Sequence, residues 1–131
     1  MKVTPLYAAL LAIWFVVLSV RVIRNRGREK IPLGDGGNRS MLRLMRGHAN
    51  FAEYVPLALV LMALLELSRF PAYALHALGA TLLVARLMHG YALSFTPQWM
   101  LGRVVGSTLT FAMLIAASVM CFYQALLVQG L

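Results

Sequence analysis

The stretch PLYAALLAIWFVVLSV, from Pro5 to Val20, contains no charged side chain. Three further apolar runs follow it: YVPLALVLMALL from Tyr54 to Leu65, one from Ala72 to about Phe95, and one from about Val104 to Val128. A chain of 131 residues has too little remaining surface to wrap four such runs for water. Hydrophobic residues make up 61% of it, against roughly 45–50% in soluble domains, and the mean hydropathy is +0.78. A membrane span takes about 20 residues, with a range of roughly 17–25. All four runs reach that length when each extends a turn or two into the headgroup zone. Lipid offers no partner to a free backbone N–H or C=O, so a spanning segment satisfies its own backbone. The runs are continuous and do not alternate with period two, which excludes a barrel and leaves helices. The expected fold is an all-α membrane protein, a four-helix transmembrane bundle in one domain over residues 1–131. Its spans fall at about 4–25, 41–68, 72–95 and 102–128. Lys2 before the first run resembles the start of a signal peptide. That run ends in RVIRNRGREK rather than in a small-residue cleavage site, so it is expected to be a retained span.

Charge is concentrated. Twelve Lys and Arg stand against four Asp and Glu, for a net charge of +8. Arg21, Arg24, Arg26, Arg28, Lys30, Arg39, Arg43 and Arg46 lie in or beside the first connection. That connection, GREKIPLGDGGNRS from Gly27 to Ser40, reads as a loop. Too little polar surface remains for a solvated nucleic-acid face, and a membrane surface accounts for the cations better. The second join is SRFP and the third is SFTPQWMLG, with Trp99 suited to anchor at an interface. Joins this short make neighbouring helices antiparallel. Arg103 falls on the side of the first loop. The positive-inside rule therefore puts the first and third joins in the cytoplasm and both termini away from it. Cys121 stands alone, so no disulfide forms within the chain. The histidines lack metal-ligand spacing, and no metal is expected.

The entry to the second run, RGHANFAEYVP, is crowded with polar residues. On a helix at 100° per residue, with Arg46 at zero, Asn50 falls at about 40° and Glu53 at about −20°. His48 falls at about 200°, on another face. Three polar side chains thus form one column about 10 Å long. A carboxylate at membrane depth is costly: Asp costs roughly 2.5–3.5 kcal/mol at the centre of a span. Glu53 is therefore expected to face protein and find a partner. One such partner is structural, with Arg46 and Arg86 neutralising it. Pro56 is tolerated within the span and frees the carbonyl of Ala52. In VARLMHGYALSF, Arg86 and His89 share a face at the same end of the third helix. Arg21, Arg24 and Arg103 crown the same end, either snorkelling to headgroups or rimming a cup. Guanidinium groups match carboxylates, Glu53 matches an ammonium, and Asn50 both donates and accepts. A small zwitterion with extra carboxylates fits that inventory, and an apolar co-substrate could arrive from the lipid.

RGHANFAEYVPLALVLMALLE resembles the second-helix signature of the MAPEG family, the membrane-associated proteins in eicosanoid and glutathione metabolism. Arg46, Asn50, Glu53, Tyr54 and Pro56 carry the resemblance, supported by ARLMH, by LGRVVG and by the basic first loop. The resemblance implies a homotrimer that binds glutathione between subunits near the cytoplasmic face. It implies glutathione ligands at Arg46, Asn50, Glu53, Tyr54 and His89, and Arg86, at their depth, is expected to join them as a ligand. It also implies an arginine that stabilises the thiolate for attack on a lipophilic electrophile. Arg103 is the first candidate and Arg21 the second. Several family members carry a tyrosine where this chain has Leu93, and some carry one at His89, so no particular eicosanoid activity is assigned. The chain looks more like the bacterial type, which implies the inner membrane. The expected function is a glutathione-dependent transferase or peroxidase, with glutathione as co-substrate. Two other readings stand beside it: a non-catalytic glutathione- or lipid-binding membrane protein, and a small proton-coupled multidrug exporter. The exporter reading is disfavoured because the first run holds no acid. The small residues Gly102, Gly106, Ala112 and Ala116 offer weak support for packing between subunits.

Overall fold

The computed structural model describes residues 1–128, and its regular structure is all helical. Helix α1 spans Val3–Glu29, α2 Arg39–Leu67, α3 Ala72–Ser94 and α4 Met100–Tyr123, with a five-residue π turn at Gln124–Val128. By length and composition α1, α2 and α4 are able to cross a membrane. Helix α3 has 23 residues, long enough for a span, but His76, Arg86 and His89 dilute its apolar run. It is also the helix most enclosed by the others, with residues such as Leu75, Leu82, Ala85 and Ala92 buried. The outward faces of α1 and α4 stay apolar: Ile13 and Ile115 are each 65% exposed. Continuous faces of that kind belong in lipid rather than water.

The first loop is shorter than its composition suggests. Helix α1 runs through Gly27 to Glu29 and stops at Lys30, in the left-handed conformation with φ 55°. A glycine ends a helix only where the backbone needs positive φ, and here Lys30 takes that position, with Pro32 two residues later. Helix α2 starts two residues before the expected boundary. The Asn38 side chain caps it, accepting from Met41 N at 3.0 Å. Helix α2 then continues through Pro56.

Helices α1 and α3 run parallel. Aromatic side chains of α1 lie on glycines of α3: Tyr7 against Gly79 and Trp14 against Gly90. A Cβ at Gly79 would stand 2.2 Å from the Tyr7 ring, so only glycine admits it. The Tyr7 hydroxyl donates to the His76 carbonyl at 3.2 Å, and Trp14 Nε1 donates to the Arg86 carbonyl at 3.1 Å. Phe15 stacks on His48 and Phe51 of α2. Helix α4 packs on other faces of α3 and α2, with Gly106 seated against Ala85 and His89.

Helix α1 has no acid in its first turn. Glu66, near the end of α2, supplies one. Its carboxylate accepts from the backbone N–H groups of Lys2, Val3 and Thr4, at 2.8 Å for the latter two. These are amides a helix start leaves unpaired, and an anion there also meets the positive end of the helix dipole. Glu66→Ala is expected to lower stability by about 1–2 kcal/mol. Thermal unfolding in detergent would check this, with an unchanged midpoint as the contrary result.

Candidate functional site

The column on α2 faces outward. Met41, Leu44, Gly47, Phe51, Val55 and Ala58 form the buried side of the helix. Arg46 and Glu53 sit on the opposite side and are exposed, while Asn50 lies at the edge, half-buried. His48 points elsewhere: it meets Ser19 Oγ at 3.1 Å and stacks on Phe15 at 4.6 Å. The angular separation of the column from His48 thus holds in three dimensions.

The expectation that Glu53 finds a partner within the protein does not hold for the single chain. The ion pair among the described residues is Arg28–Glu29 at 3.2 Å. Glu53 forms none, with Arg46, Arg86 or any other cation. Structural neutralisation by those arginines is therefore corrected. The wheel places Glu53 on a surface that this chain alone does not cover.

Arg86 has a different place from that of an open ligand. It is 1% exposed. Its Nη1 donates to Asn50 Oδ1 at 2.7 Å, and its Nη2 donates to the Gly106 carbonyl at 3.3 Å. Since its own carbonyl accepts from Trp14, residue 86 joins α1, α2 and α4 to α3. It fixes the amide of Asn50 rather than offering a free guanidinium. His89 is buried too, at 6% exposure, within electrostatic reach of Arg86 and Arg103. Tyr54 is half-buried, meets the Phe111 ring edge-on at 5.4 Å, and lies within electrostatic reach of Arg86. Arg103 is half-buried at the start of α4, and its guanidinium makes no hydrogen bond or ion pair among the described residues. Asn50, Tyr54, Arg86, His89 and Arg103 therefore gather where α2, α3 and α4 meet, with Arg46 and Glu53 beside them on the open face.

Arg21 belongs to another face. It donates to the Ser94 carbonyl and its guanidinium lies 4.1 Å from the centre of the Phe95 ring. Arg43 completes the arrangement, donating to the carbonyls of Ala92 at 2.9 Å and Thr96 at 2.8 Å. The two arginines meet the carbonyl end of α3, where a helix carries partial negative charge. The two arginines expected to act on a thiol thus do not converge within one chain. The cap on α3 was not apparent from sequence, because its acceptors are backbone atoms far along the chain.

Gly102 and Gly106 are occupied internally, by the Trp99 ring and by α3 respectively. This corrects their use as a surface for a neighbouring subunit. Ala112 and Ala116 border an apolar groove between α3 and α4. Cys121 is half-buried, with Sγ 3.6 Å from the Leu61 carbonyl oxygen. No cluster of metal-binding side chains occurs among the described residues.

Comparison with known proteins agrees with the motif on α2. The chain is 38% identical to the inner membrane protein YecN of Escherichia coli strain K12 over 89 residues, 68% of each chain. The same protein from Escherichia coli O6:H1 matches to the same extent. The MAPEG family model matches residues 4–123, nearly the whole chain, and the protein belongs to the MAPEG family.

Proposed function

We propose that the protein is a membrane-bound glutathione-dependent transferase or peroxidase acting on a lipophilic electrophile. The observation that carries this reading is Glu53: a carboxylate on a spanning helix, exposed in the single chain and unpaired among the described residues. An acid left uncompensated near lipid needs a cation from outside its own chain. The ammonium of glutathione has the right sign. Arg46, exposed about two turns away along the same column, suits one of its carboxylates. Asn50, oriented by Arg86, presents the remainder of its amide.

Arg103 is the guanidinium free to act on the thiol. A cysteine-type thiol has a pKa near 8.5 and is mostly protonated at neutral pH. A cation within about 4–6 Å favours the thiolate and lowers that pKa by about 1–3 units. The thiolate then attacks the electrophile: a carbon–sulfur bond forms and the leaving group departs with its electron pair. In this reading His89 and Arg86 support the site from beneath, and Tyr54 borders it. A second subunit covers the open face of α2 in a homotrimer, and Arg21 reaches the ligand from that neighbour. The first and third joins lie in the cytoplasm of a bacterium, with the bundle in its inner membrane.

Calorimetric titration of the detergent-solubilised protein with glutathione tests the reading. Saturable binding is expected, weakened about tenfold in Glu53→Ala and in Arg46→Ala, the loss of one charge-assisted contact. Absence of heat in the wild type, with identical traces for both variants, would defeat it. Binding without turnover of electrophiles or hydroperoxides would leave the non-catalytic reading, which Leu93 favours by placing an apolar group beside Gly47. The exporter reading has less support. The carboxylate that α1 meets at its start is Glu66, and its oxygens are taken up by backbone amides.

A further inference from the structure

A groove of about 950 Å³ opens between the second half of α1, the start of α2 and the end of α3. It lies on a different face from Glu53, and of its cations only Arg21 enters the glutathione reading, as the contact from a neighbouring subunit. Its apolar wall comes from Val16, Val17 and Val20, with Leu93 opposite. Its mouth is lined by Arg21, Arg24, Arg28 and Arg43, and no acidic residue lines it. Val17, Val20, Arg21, Arg24 and Arg28 follow one another at helical spacing along a single side of α1. Polarity therefore changes along the groove axis, from apolar to cationic, over about 18 Å between residues 16 and 28.

The four cations are not equally occupied. Arg21 and Arg43 are held by the carbonyls of α3. Arg24 is exposed, and its guanidinium makes no hydrogen bond among the described residues. Arg28 is exposed, and its contacts are Glu29 at 3.2 Å and Asn25 at 3.3 Å. Exposed pairs of that kind are weak and exchange readily. Ser94, which also lines the groove, is buried, and its hydroxyl has no partner among the described residues.

We propose that this groove holds an anionic phospholipid of the surrounding bilayer. Arg24 and Arg28 meet its phosphate, and an acyl chain lies along Val16, Val17 and Val20. The amphipathic direction of the groove is that of the lipid itself. A zwitterionic lipid would bring a choline or ethanolamine cation into a rim already cationic, so the site selects net negative headgroups. Arg21 and Arg43 tie the rim to the last turn of α3.

Native mass spectrometry of the whole protein, released from detergent with defined lipids, tests the proposal. Phosphatidylglycerol is expected to remain bound where phosphatidylcholine does not. The double variant R24A/R28A should retain it about thirtyfold less, the loss that two cations at an anionic membrane surface account for. Both side chains are exposed, and an unchanged elution volume and helix content would confirm that the variant is folded. Glycerol phosphate at millimolar concentration should fail to displace the lipid. Equal retention of the two lipids, or no loss in R24A/R28A, would overturn the proposal. So would displacement by glycerol phosphate, which would indicate a free-phosphate site. Displacement by glutathione would also overturn it, making the groove part of the thiol site.

Discussion

Arg86→Ala is expected to lower stability by about 3 kcal/mol, read as the midpoint of unfolding in detergent. The residue is 1% exposed, so truncation leaves a cavity between three helices. It also removes two bonds from a charged donor, to Asn50 and to the Gly106 carbonyl. Arg86→Met separates the two costs. Methionine restores most of the volume and none of the bonds, so about half the loss is expected to return. No carboxylate pairs with Arg86 among the described residues. The methionine variant therefore leaves no buried charge without a partner, unlike the disruption of an ion pair. A midpoint for Arg86→Ala equal to wild type would mean that the guanidinium adds nothing beyond its own desolvation.

Gly106→Val is expected to cost about 3 kcal/mol by separating α4 from α3. A Cβ at that position would stand 2.7 Å from the Ala85 carbonyl oxygen and 2.8 Å from His89 Cβ. The first neighbour is backbone, which has no rotamer to yield. The helices must part, and the Arg86 bond to the Gly106 carbonyl lengthens as they do. Thr110 Oγ1 donates to the same carbonyl at 2.8 Å from within α4, so that bond travels with the helix. Gly27→Val is the control, since nothing lies within 4 Å of a Cβ there. Differential scanning of the two variants should show a lower transition for Gly106→Val alone, and similar transitions for both would contradict the close approach.

Much of the bundle was legible because lipid restricts the choices. Four long apolar runs with short joins admit few arrangements, and the helices fall within a few residues of their expected bounds. The column of Arg46, Asn50 and Glu53 was legible because angular position on one helix needs only the sequence. What needed coordinates was whatever depends on a second element. Glu66 gave no local signal, because its partners are backbone amides at residues 2–4. The loop ran short because composition marks Gly27 as a breaker while the backbone turns at Lys30. Arg86 reaches Asn50 directly, but depth on a helix does not separate a ligand from a brace. The partners of Gly102 and Gly106 were missed for a similar reason. Small residues signal close approach without naming what approaches.

The contacts of residue 86 have a consequence for how the helices find their orientation. Against lipid, one apolar side of a helix packs about as well as another, since acyl chains are as apolar as leucine. Greasy surfaces alone thus leave each cylinder nearly free to spin about its long axis. A turn of α4 by one residue carries the Gly106 carbonyl about 100° away from Nη2, and the same turn of α2 removes Asn50. A single guanidinium consequently acts as a detent that only one setting of two neighbouring rods satisfies.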